Sequence, residues 1–212
     1  MIDPAVRFAQ AFAACPLVAV LRGVTPAEAE DVGEALVAAS FTLIEAPLNS
    51  PEPYESIRRL ADRLAGRAIV GAGTVLTTEA VARVADAGGE LVVSPHTDPG
   101  VIRAAVEAGL ICLPGYFTPS EAFAALAAGA HALKLFPAEG ASPALLKAQR
   151  AVLPRDVKVL PVGGITPETM PGWRAAGADG FGLGSNLYRP GKPVEDIARD
   201  ARRFVAAFRE TA

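Results

Sequence analysis

One apolar run in this sequence, Ala132-Leu133-Lys134-Leu135-Phe136-Pro137, carries a lysine in its middle. The run reads as a short buried strand, and an ammonium group is costly to bury without a partner. The same desolvation lowers the amine's pKa and can leave it neutral and nucleophilic. Such an amine can form a Schiff base with a keto acid. Taken alone, the hexapeptide fits better with a lysine that snorkels to solvent or closes an ion pair. The other strand ends reverse that preference. Glu45 sits in the run Leu43-Ile44-Glu45-Ala46. Alternation puts Leu43 and Glu45 on one face of their strand, and Lys134 and Phe136 on one face of theirs. If both faces point into a shared interior, Glu45 can move protons while Lys134 does covalent chemistry. The competing reading is a buried salt bridge, a poor source of stability because desolvation offsets the Coulomb gain. Arg22 and Thr74, at two further strand ends, suit a substrate carboxylate and favour the functional reading. Whether Lys134 is charged stays open here: Glu45 favours the ammonium, and burial favours the amine.

Two glycine-rich turns, Gly163-Gly164 and Gly182-Leu183-Gly184-Ser185, suit a phosphate. Glycine lets backbone N–H groups approach an anion closely, and a turn from Ser185 could aim a helix N-terminus at it. Ordinary turn chemistry explains either pair singly; the two together favour phosphate. Pro95 and Phe136 complete the candidate substrate-binding set. His96 reads as a substrate contact or loop surface, and His131 as structural. Trp173 and Phe181 read as core. Tyr188 either lines the phosphate region or packs.

These residues need elements to position them. After a short amphipathic leading helix, apolar runs alternate with helical patterns. The expected strands are Leu17 to Leu21, Phe41 to Ala46, Ala68 to Gly71, Leu91 to Ser94 and Ile111 to Leu113. The run holding Lys134, then Val157 to Val162 and Gly180 to Leu183, complete the set. Thr25-Pro26-Ala27-Glu28 and Thr118-Pro119-Ser120-Glu121 open helices with a capping box and proline in the first turn. Ser50-Pro51-Glu52-Pro53 and Thr166-Pro167-Glu168 are expected to start helices the same way. Thr77 to Ala87, the stretch from about Asp98 to Gly109, Ser142 to Val152 and Val194 to Arg209 supply the others. Short, continuous, apolar strands are those of a parallel sheet covered on both faces. Eight strand–helix units predict an α/β fold, a (β/α)₈ barrel with an N-terminal leading helix, forming one domain over residues 1–212. An open doubly wound sheet competes, but no unit carries G-x-G-x-x-G.

Composition narrows the setting. The chain has 212 residues, is 51% hydrophobic and has a net charge of -3, which gives no reason to expect nucleic acid or an anionic membrane. Cys15 and Cys112 make no disulfide framework, which points to a reducing, cytoplasmic location. No apolar run is long enough to span a bilayer. Phe12-Ala13-Ala14-Cys15 loosely resembles a lipoprotein cleavage site, but Asp3, Arg7 and Gln10 interrupt the segment before it. The two histidines lack metal-ligand spacing, so no metal is expected.

In order along the chain, Leu21-Arg22-Gly23, Glu45-Ala46-Pro47-Leu48-Asn49-Ser50-Pro51, Gly71-Ala72-Gly73-Thr74-Val75, Lys134-Leu135-Phe136-Pro137, Val162-Gly163-Gly164-Ile165 and Gly182-Leu183-Gly184-Ser185 resemble the KDPG/KDPGal aldolase family. The resemblance runs from about Pro16 to the C-terminus. Leu48-Asn49-Ser50 looks like the galactonate branch, where gluconate-type members carry Leu-Arg-Thr; Arg22 would then take over the arginine role. Ala46 departs mildly from the family, which more usually has a branched residue there. The resemblance implies a trimeric class I aldolase without metal or organic cofactor. It would cleave 2-dehydro-3-deoxy-6-phosphogalactonate reversibly to pyruvate and glyceraldehyde 3-phosphate. Lys134 aligns with the Schiff-base lysine and Glu45 with the acid/base glutamate. Arg22 and Thr74 align with the carboxylate site, and Gly163, Gly164, Gly184 and Ser185 with the phosphate site. The gluconate epimer and 4-hydroxy-2-oxoglutarate are alternative substrates. A metal-dependent pyruvate aldolase and a non-catalytic sugar-phosphate-binding barrel are the competing functions.

Overall fold

Strands and helices alternate along the chain in the computed structural model, which describes residues 3–210. Residues 1, 2, 211 and 212 of the expected domain lie outside the described residues. A leading helix, α1 (Pro4–Ala14), precedes β1 (Leu17–Val20) and α2 (Pro26–Ala38). Then come β2 (Leu43–Pro47), α3 (Pro53–Arg63), β3 (Ile69–Gly73), α4 (Thr78–Asp86), β4 (Leu91–Val93) and α5 (Pro99–Glu107). The middle of the chain holds β5 (Ile111–Leu113), β6 (Gly115–Tyr116), α6 (Pro119–Ala127), β7 (Leu133–Leu135) and α7 (Pro143–Arg150). The chain finishes with β8 (Val159–Pro161), α8 (Met170–Ala175), β9 (Phe181–Leu183) and α9 (Val194–Glu210).

All strand pairs are parallel, as the helical crossovers require. They form a six-stranded sheet in the order β5-β4-β3-β2-β1-β9 and a three-stranded sheet in the order β6-β7-β8. A single parallel bridge, Val162 with Gly182, links the β8 side to β9. The fifth expected strand, Ile111 to Leu113, is β5; Pro114, which has no N–H to give the ladder, separates it from β6, a short strand that was not expected. The Pro114 carbonyl still accepts the Lys134 N–H at 2.9 Å.

Alternation separates two apolar layers. Val18, Leu43, Ile69, Leu91, Val93, Ile111, Leu113, Ala132 and Leu160 pack together on the concave side, with Phe8 and Phe12 of α1 against them. Leu17, Ala19, Ile44, Ala46, Leu133 and Leu135 face the other way, into the helices. Glu45 and Lys134 fall between outward residues, so both belong to the concave side. Register sets Glu45 beside Val20 and Gly71, and Lys134 beside Gly115 and Leu160.

Capping follows the sequence at α2 and α6, where Glu28 and Glu121 accept the N–H groups of Thr25 and Thr118 at 3.1 and 2.7 Å. Two local expectations fail. Ser50 does not start α3: Glu52 holds the cap position at φ 41°, and the Ser50 hydroxyl accepts the Gly23 N–H at 2.9 Å instead. Thr166 does not open α8; it closes a separate turn with Thr169, whose hydroxyl donates to the Thr166 carbonyl at 3.0 Å. The short turn expected from Ser185 is present. Residues 184–188 make one turn, in which Leu187 and Tyr188 both donate to the Gly184 carbonyl.

Candidate active site

Lys134 is only 6% exposed. Burial lowers its pKa, Glu45 opposes that shift, and Arg22 adds to it. Its Nζ lies 4.7 Å from the centroid of the Phe136 ring, so the two share a face as alternation predicts. Glu45 is 1% exposed, and its Oε2 has no hydrogen-bond partner. Burial pushes its carboxyl up to about 7, against the pull of Lys134 and Arg22. A carboxyl that titrates near neutrality can both take and return a proton. Gly73 keeps the space beside it open: a Cβ there would overlap the Glu45 carboxylate.

A cavity of about 300 Å³ opens at the C-terminal ends of the strands. Arg22, Lys134, Phe136, Gly163, Gly164, Gly184 and Ser185 line it, seven of the ten residues expected from sequence. A void of about 10 Å³, bounded by Glu45, Lys134 and apolar side chains such as Val93 and Leu160, lies among the strands. Thr74 and Pro95 do not line the cavity. Thr74 follows Gly73 directly and takes φ 55°, a strained setting for a β-branched residue. Pro95 packs its carbonyl on Gly115, the register partner of Lys134. Two larger hollows, of about 660 and 570 Å³, contain neither Lys134 nor Glu45; they are lined by residues such as Asp179 and Thr42, ahead of the strands rather than after them.

Loops at the cavity rim brace one another. Arg22 Nη1 donates to Asn49 Oδ1 at 3.1 Å, which joins the ends of β1 and β2. Gly163 and Gly164 take φ values of 119° and 64°, which their missing Cβ atoms permit. Asn186 Nδ2 donates to the Ile165 carbonyl at 2.8 Å and ties the two glycine turns together. Tyr188 lines the cavity from a buried position. His96 is exposed, and His131 is structural, its Nδ1 accepting the Cys112 N–H at 3.1 Å. Glu139 and Arg189 line the cavity without having been expected. Each lies a few residues past a recognised motif, on a stretch with no periodic or spacing signal of its own. The described residues contain no cluster of three His, Cys, Asp or Glu that could hold a metal ion. Nor do they contain a helix long and apolar enough to cross a membrane.

The sequence model of the KDPG and KHG aldolase family matches residues 9–199. This chain belongs to that family. It is therefore an aldolase, a lyase by reaction class. Its sequence is 48% identical over 195 residues to the 2-dehydro-3-deoxy-6-phosphogalactonate aldolase of Escherichia coli K12, covering 92% of this chain and 95% of that one. It is 33% identical over 187 residues to the 2-dehydro-3-deoxy-phosphogluconate aldolase of Zymomonas mobilis, covering 85% and 88%. A solved structure described as native KDPGal superposes with a TM-score of 0.91 at 48% identity, covering 92% of this chain and 95% of that one. Within the KDPG and KHG aldolases, then, the chain is nearer in sequence to this galactonate-type relative than to the gluconate-type one.

Proposed function

We propose that this aldolase cleaves 2-dehydro-3-deoxy-6-phosphogalactonate reversibly to pyruvate and glyceraldehyde 3-phosphate through an imine on Lys134. The observation that carries the mechanism is a lysine 6% exposed, its pKa lowered by burial, on a cavity shared with an arginine and two glycine turns. The greater identity to the galactonate-type relative supports the choice of epimer.

The Lys134 amine attacks the C2 ketone, and loss of water from the carbinolamine leaves a protonated imine. Glu45 takes the C4 hydroxyl proton. The C3–C4 bond breaks, its electron pair moves into the iminium, and the aldehyde departs. Glu45 returns the proton to C3 of the enamine, and hydrolysis frees pyruvate and the amine. Arg22 and Thr74 hold the carboxylate. Gly163, Gly164, Gly184 and Ser185 receive the phosphate, while Phe136 walls the reacting end. Anchoring both ends of the substrate orients the bond that breaks.

The architecture behind this site is one domain and one closed eight-stranded barrel, with β5 and β6 as halves of its fifth strand. Backbone bonds from His131 to Cys112 and from Lys134 to Pro114, with the Val162–Gly182 bridge, support that closure. The protein assembles as a homotrimer, for which the exposed Leu76 and Phe123 supply apolar surface. It works in the cytoplasm: both cysteines are free, buried thiols, pushed up to about 11 and about 12.

Borohydride reduction in the presence of pyruvate, followed by peptide mass mapping, tests the mechanism. A pyruvate adduct on Lys134 is expected. An adduct elsewhere, or none with pyruvate bound, would overturn it.

A further inference from the structure

The candidate phosphate position is built from neutral donors, the backbone N–H groups of two glycine turns and the Ser185 hydroxyl. Glu139, from the short 3₁₀ turn Ala138–Gly140, already packs against the first of these turns. A Cβ on Gly163 would overlap its carboxylate, and its Cγ lies 3.0 Å from the Cβ position of Gly164. A phosphate brought onto this turn therefore meets like charge, and N–H dipoles alone must work against it.

A cation would offset that charge. The cavity lining offers Lys134, Arg22 and Arg189. Lys134 is engaged by the imine, and Arg22 by the substrate carboxylate. Arg189 is exposed, and its guanidinium has no hydrogen bond or ion pair among the described residues. Its backbone is nevertheless held. Pro190 Cγ lies 2.7 Å from the Cβ position of Gly23, directly after Arg22. Lys192 Nζ donates to the Leu187 carbonyl at 2.6 Å and pairs with Asp200 at 2.7 Å. The segment is thus braced on both sides of Arg189, while the guanidinium arm is left uncommitted at the mouth of the cavity.

We propose that Arg189 is the cationic ligand of the substrate phosphate, and that it sets the preference of this enzyme for phosphorylated over unphosphorylated keto acids. The proposal rests on the aldolase function above. A guanidinium can take two phosphate oxygens at once, which neither glycine turn can do with charge.

The test is steady-state kinetics of wild type, Arg189→Ala and Arg189→Lys. The substrates are 2-dehydro-3-deoxy-6-phosphogalactonate and its unphosphorylated counterpart, 2-dehydro-3-deoxygalactonate. In Arg189→Ala, KM for the phosphorylated substrate should rise roughly ten- to a hundred-fold. Both constants for the unphosphorylated substrate should hold. Inhibition by inorganic phosphate should weaken in the same proportion, and Arg189→Lys should restore part of the loss. An unchanged KM, or equal losses on both substrates, overturns the proposal. Borohydride trapping with pyruvate on the same proteins separates the two levels. Trapping at Lys134 with an unaltered phosphate preference in Arg189→Ala defeats the Arg189 assignment alone. No trapping in the wild type defeats the aldolase function and this assignment with it.

Discussion

Gly73 and Glu45 meet so closely that a methyl group on the glycine would overlap the carboxylate. The acid is therefore held against bare backbone on the concave side of β2 and β3. Gly73→Ala should push the carboxylate out of line with Lys134, and a displacement of about 1 Å costs roughly a hundred-fold in turnover. Steady-state kcat measures this, while pyruvate trapping on Lys134 reports that the lysine is still in place. An unaltered kcat would mean that the position of Glu45 is not critical.

The buried carboxyl of Glu45 titrates at about 7 in the folded protein, above its ordinary value of 4.5. As the base that takes the C4 proton, it must be ionised, so kcat/KM for cleavage should rise with pH through about 7. Glu45→Gln should remove that limb and slow turnover roughly 10²- to 10⁴-fold. A mutant that keeps either the limb or the rate takes Glu45 out of the mechanism.

Stability should carry the opposite sign. A carboxyl whose folded pKa is raised favours the native state when protonated, so its contribution is present below pH 4.5 and lost as pH rises through about 7. The loss is about 3 kcal/mol at most. Glu45→Gln should gain on wild type over that window, by urea denaturation at about pH 5 and about pH 8. Lys134, whose pKa burial lowers, works the other way, so the difference between mutant and wild type is the quantity to read. Equal pH dependence in both proteins would count against the raised carboxyl.

Arg22 is held from the side by Asn49 at 3.1 Å. Asn49→Ala should leave the guanidinium charged but loose. The pyruvate concentration for half-maximal trapping should then rise roughly two- to ten-fold. Turnover of saturating substrate should change little. Unchanged pyruvate dependence would show that Arg22 finds its position unaided.

Thr74 takes φ 55°, where a β-branched side chain costs about 1–3 kcal/mol. Thr74→Gly should relieve that strain and raise the melting temperature while weakening pyruvate binding. If stability falls as well, the Thr74 side chain is structural.

Much of the fold was legible because local chemistry and period agree along the chain. Thr25 and Thr118 announce their helices through proline and a glutamate three residues on. Continuous apolar runs announce parallel strands. Where one signal had two uses, the sequence misled. Ser50 precedes a proline as a cap would, yet its hydroxyl serves Gly23 across a loop. Thr166 looks like a helix start, yet it closes a turn with Thr169.

The site divides along the same line. Alternation and motif order by themselves determined that Glu45 shares a strand face with Leu43 and Lys134 with Phe136, and that two glycine turns follow late strands. Those are properties of neighbours in the chain, which backbone geometry fixes. Only the tertiary structure decided that Gly73 makes room for Glu45, that Asn49 holds Arg22, and that Glu139 and Arg189 share the cavity of Lys134. Burial of Glu45 and Lys134, and with it their shifted protonation, was decided there too. Desolvation and contact depend on which strands and loops come together in space, and no single stretch of chain carries that information.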